Sequence, residues 1–75
     1  MDEKIIQIAI TALDIEREDA IRNCKELPKI NAFYFWNKSR GGKAVIISKN
    51  GEKFVVSSVV SLDQHIQAYR SGRRN

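Results

Sequence analysis

KAVIISKNGEKFVVSSVV, residues 43–60, decides the fold. Two β-branched runs, KAVIISK (43–49) and EKFVVSSVV (from 52), flank Asn50-Gly51. Asn-Gly between apolar runs is the strongest short hairpin signal, because a type I′ turn needs positive φ at both central residues. A two-residue turn predicts the register: Lys49 opposite Glu52, Ser48 opposite Lys53, Ile47 opposite Phe54, Ile46 opposite Val55 and Val45 opposite Val56. Val45, Ile47, Phe54 and Val56 then form one apolar face, which we assign to the core. The other face (Ala44, Ile46, Ser48, Lys53, Val55 and Ser57) is half apolar and reads as partly covered.

Upstream lies AFYFWN, 32–37, aromatic and β-favouring, with Phe33 and Phe35 on one face and Tyr34 and Trp36 on the other. It is joined to the hairpin through NKSRGGK, 37–43, which holds three cations and two glycines. This is not a P-loop: Ala44 follows the lysine, the spacing glycine is absent, and a strand comes next where that motif needs a helix. A turn between strands is the better reading, with Arg40 and Lys43 as candidate anion contacts from it.

Residues 2–13 read as a helix, with Ile6, Ala9, Ile10 and Leu13 at i, i+3, i+4, i+7 and Asp2 and Glu3 in the first turn. Residues 14–27 allow two readings. Either the helix continues, with Ala20, Ile21, Cys24 and Leu27 on its stripe, or Asp14 ends it and 20–26 form a polar edge strand; propensity leans to helix. Pro28 closes the segment in both cases. Downstream, Ser61-Leu62-Asp63-Gln64 is a capping box opening a last helix with Leu62, Ile66 and Tyr69 on one face. Gly72 is its C′ candidate, with Arg70, Arg73 and Arg74 at the negative end.

The sequence therefore predicts one α+β domain over 1–75: an N-terminal helix, an antiparallel meander of three strands, or four if 20–26 pairs, and a C-terminal helix, both helices on one face of the sheet. Seventy-five residues bury only about 60% of the surface of the unfolded chain, so one core is expected. The Met1 start reads as a whole small gene product, with no signal peptide and nothing near the ~20 apolar residues of a membrane span. One cysteine, Cys24, excludes an internal disulfide and a Cys-rich zinc site, which fits a cytoplasmic protein.

Catalysis is not expected, and neither is a cofactor or metal. His65 is the only histidine, one position off the apolar stripe, and reads as half-exposed. Cys24 and His65 can meet in space, but nothing in the sequence requires it.

The net charge of +4 is uneven: residues 1–30 carry seven acids against five bases, and residues 31–75 carry eight bases against two acids. Two binding readings follow. Tyr34 and Trp36, with Lys38, Arg40, Lys43, Lys53, Arg70, Arg73 and Arg74, make a nucleic-acid surface if the cations are continuous and the rings exposed. Otherwise the outer sheet face or a sheet edge binds another protein, or a second copy as a homodimer. Helix, three strands, helix is also the order of the double-stranded-RNA-binding domain, but that family's lysine cluster is replaced here by SLDQHIQ.

The order of AFYFWN, GGKAVIIS, the K-N-G hairpin and the closing SLDQHIQAYRSGRR, behind an amphipathic helix, resembles small bacterial domains related to the immunity proteins of polymorphic-toxin systems. That resemblance implies binding of a cognate protein, no catalytic residues, and a strand at 20–26.

Overall fold

The computed structural model describes residues 2–37, 42–57 and 60–72, the side chain of Ser57 excepted. Helix α1 spans Glu3–Leu13. Asp2 caps it, its side chain accepting the Lys4 N–H at 2.9 Å. Asp14, at φ 53°, ends it in the left-handed conformation that Asp tolerates. The Asn37 side chain donates to the Leu13 carbonyl at 3.2 Å, satisfying one of the carbonyls that a helix end orphans.

The two readings of 14–27 are both partly realised. The first helix stops at Asp14, a short helix α2 covers Arg17–Arg22, and an edge strand β1 follows at Cys24–Leu27. After a 3₁₀ turn at Pro28–Ile30 come β2 (Ala32–Trp36), β3 (Lys43–Ser48) and β4 (Lys53–Ser57), then α3 (Leu62–Arg70). The sheet is an antiparallel meander in the order β1-β2-β3-β4, so the fold is α+β with four strands.

The hairpin register differs from the expected one by one residue. Ile47 pairs with Lys53, Ile46 with Phe54, Val45 with Val55 and Ala44 with Val56. Gly51 alone takes positive φ, at 94°, so the loop is three residues long rather than a two-residue type I′ turn. Ser48 is the cause visible in the structure. Its hydroxyl accepts the N–H groups of Asn50 (3.2 Å) and Glu52 (3.0 Å), while its backbone N–H donates to the Glu52 carbonyl at 2.8 Å. One residue of slip turns every β4 side chain to the other face.

The apolar face expected from the two-residue turn is consequently split. Val45 and Ile47 lie with Phe35 under α1 and α2, in a cluster with Ile5, Ile6, Ala9, Leu13 and Ala20. Ile46 and Phe54 lie on the opposite face with Leu27, Ala32 and Tyr69 of α3, flanked by Tyr34, Val56 and Ile66. Contrary to the expectation from sequence, the helices do not share one face: α1 and α2 cover one side and α3 the other. The reason is chemical, since both parities of β3, Ala44-Ile46 and Val45-Ile47, are fully buried and each needs its own cover.

Ser61 opens α3 as the capping box predicts, its hydroxyl accepting the Gln64 N–H at 3.2 Å. Gly72, at φ 90°, closes it with its N–H on the Tyr69 carbonyl at 3.1 Å.

Candidate partner-binding groove

Alternation along the strands sets what each face presents. Lys25 of β1 lies opposite Tyr34, and Trp36 opposite Ala44, all on the α3 side. Tyr34 and Trp36 are half-buried and stack on each other, ring centroids 5.5 Å apart.

α3 has nine residues and is too narrow for this face. A helix is about 10 Å across, whereas four strands at about 4.8 Å spacing place the outer strand axes about 14 Å apart. What it leaves open runs along its β1 side as two cavities that share Lys25. The first, about 380 Å³, is lined by Lys25, Tyr34, Trp36, Asn37, Ala44 and Leu62. The second, about 340 Å³, has an apolar lining of Leu27, Pro28, Ile30 and Ile66, bordered by Lys25, Glu26, Lys29 and Arg70. Together they form a groove with an aromatic and aliphatic floor and a rim of three cations and one acid. A larger concavity, about 600 Å³, lies at the C-terminal end of α3 between the β3–β4 loop and Arg70. It is polar, and its Ser48 hydroxyl is already committed to two backbone amides.

His65 holds the floor of the groove in place. Read from sequence as half-exposed, it is completely buried, because the apolar stripe of α3 faces a sheet that is itself apolar on that side. Its Nε2 lies 2.9 Å from the Phe54 carbonyl, which can only accept, so Nε2 carries the proton. Its ring meets Tyr34 and Phe54 edge to face, at centroid distances of 5.8 and 5.1 Å. Nδ1 is buried with no hydrogen-bond partner. Burial lowers the His65 pKa, partly offset by the bond to Phe54, and burial raises that of the Tyr34 hydroxyl.

Cys24 lies on the other face, packed against the α1 cluster. Desolvation first, then Glu26, raises its pKa, so it stays a thiol rather than a nucleophilic thiolate. Cys24 and His65 are thus separated by the sheet. Among the described residues no three His, Cys, Asp or Glu side chains gather as a metal site.

Of the cations singled out from sequence, the three among the described residues, Lys43, Lys53 and Arg70, do not form one surface. Arg70 borders the groove. Lys53 lines a separate depression with Lys4, Gln7 and Ile8 on the α1 side, and Lys43 follows the α1-side parity of β3. Lys38, Arg40, Arg73 and Arg74 lie outside the described residues. Residues 38–41 of NKSRGGK all lie outside them, while its ends join neighbouring antiparallel strands, with the Asn37 N–H 3.0 Å from the Lys43 carbonyl. The groove's remaining cations, Lys25 and Lys29, escaped sequence reasoning. The signal was available only once 24–27 was read as a strand registered on AFYFWN.

Comparison with protein-family models, with curated proteins and with solved structures found no match in any of the three. No helix among the described residues is long and apolar enough to cross a membrane.

Proposed function

We propose that this chain is a non-enzymatic protein-binding module and that the groove between α3 and β1 receives its partner. The observation that carries the reading is the groove itself: half-buried aromatic and aliphatic side chains, concave, bordered by Lys25, Lys29 and Arg70. Apolar anchors in concave sites inside a polar rim supply most of the energy of protein interfaces. An immunity-like cytoplasmic protein held against a cognate toxin is one form of this reading.

The second reading, a single-stranded nucleic acid stacked on Trp36 beside Lys25, is favoured by the half-exposed ring. It is weakened by two placements. Tyr34 and Trp36 spend a face on each other, and Lys43 and Lys53 belong to the far side of the sheet.

Selection of displayed random peptides decides between them. We expect binders that wild type retains and Leu62→Arg, which fills the groove mouth, rejects. Amide shifts at Tyr34, Trp36 and Ile66 on titration with a short single strand, fading steeply with salt, would instead assign the groove to nucleic acid.

A further inference from the structure

We propose that the β1 edge of this groove takes an extended, acidic segment of the partner as a fifth strand. The proposal rests on the protein-binding reading and specifies the partner's chemistry.

β1 is an edge strand, paired among the described residues only with β2. The Trp36 N–H donates to the Asn23 carbonyl at 3.2 Å, which fixes the alternation of the antiparallel ladder. Residues 25 and 27 therefore turn their backbone groups to β2, and Cys24 and Glu26 turn theirs outward. A fifth strand pairing with Cys24 and Glu26 would project every second side chain over the α3 side. Such side chains recur about every 6.8 Å along a strand. One set opposite Lys25 has neighbours reaching the Trp36–Leu62 cavity on one side and the Leu27–Ile66 cavity on the other. The segment that fits is apolar–x–acid–x–apolar: an acid against Lys25, apolar residues in the two cavities. Lys29 and Arg70 outweigh Glu26 at the rim and favour further acids.

A second copy of this chain does not meet these conditions. Antiparallel self-pairing that uses the outward groups of both Cys24 and Glu26 sets Lys25 opposite Lys25 of the other copy. Shifting the centre by one residue sets Glu26 opposite itself in one direction and, in the other, pairs the strands through Cys24 alone, because β1 begins there. Directly opposed like charges are destabilising, and charges on a short edge strand are a common guard against self-association. The edge is thus guarded against its own kind and open to an acidic strand.

The test uses the whole chain and displayed random heptapeptides. The expected binders are acidic with alternating apolar residues. They lose affinity by about tenfold or more against Lys25→Glu, and again when the peptide amide facing Glu26 is N-methylated, since each step removes a charge pair or a backbone hydrogen bond. Protection of the Glu26 amide from hydrogen exchange in the complex is expected alongside. If groove-dependent binders tolerate N-methylation and leave Glu26 unprotected, strand addition is overturned while the groove reading stands. If the binders are basic or indifferent to Leu62→Arg, or if none is enriched, the protein-binding reading falls with it.

Discussion

The two faces of this sheet are built from the same strands and have little else in common. The α1 side is apolar at its centre: Ala9, Phe35, Val45 and Ile47 are fully buried there, and the ion pair of Arg17 with Glu3 is exposed. The α3 side places a histidine at its centre, with an orphan nitrogen, between Tyr34 and Phe54, and leaves Tyr34 and Trp36 half-covered. One face has two helices to close it and the other has one short helix. A face covered by two helices stabilises; a face covered by one keeps more apolar and aromatic surface for a partner.

The comparison breaks first at Phe35. Phe35→Ala should cost about 3–5 kcal/mol, a large share of the stability of a small domain, seen as loss of the urea transition. Trp36→Ala, across the sheet and half-exposed, should cost clearly less. Equal losses would mean that the two faces contribute alike.

Gly51 sets which residues reach which face. A methyl group there would meet Ile8 Cδ1 at an ordinary 3.6 Å, so the cost of Gly51→Ala comes from φ at 94°. About 1–2 kcal/mol is expected in urea denaturation. A neutral effect would show that the three-residue loop does not need its left-handed residue.

His65 sharpens the contrast through pH. Its folded pKa is lowered by burial, so below the ordinary value of about 6.5 the unfolded chain binds a proton that the folded chain resists. The stability due to neutral His65 is complete above about pH 6.5 and is lost as pH falls through the lower folded value. Urea midpoints should fall across that window in wild type and stay flatter in His65→Gln, which keeps a donor for the Phe54 carbonyl. A variant that follows the wild-type slope would place the titration elsewhere. The smallest effect belongs to the α1 side: Glu3→Gln should change stability by only about 0.2–1 kcal/mol, less at high salt, because both partners are more than half exposed.

Much of the fold was legible in the sequence because its signals are local. The α1 stripe, the Ser61 cap, the Gly72 terminus and the strands β2, β3 and β4 each follow from neighbouring residues. The register was not legible, because Asn50-Gly51 announces a two-residue turn and the Ser48 hydroxyl overrides it from outside that pair. From this one slip follow the split of the hairpin's apolar face and the placement of α3 on the side opposite α1. The burial of His65 has a separate origin: the residue lies one position off the Leu62–Ile66–Tyr69 stripe, and the α3 side of the sheet is apolar enough to bury that position too. Tyr34 and Trp36 were recognisable as a pair, but their cationic neighbours were not. Lys25 comes from the one segment whose helix and strand patterns compete.

The most direct test of the account is where a selected peptide binder shifts the backbone amides. Shifts gathered at 25–30, 34–36 and 62–70 are the result expected of the groove. Shifts centred instead on α2, around Ile21, the one large apolar side chain exposed among the described residues, or on Lys43 and Lys53, would move the binding surface to the α1 side and contradict it.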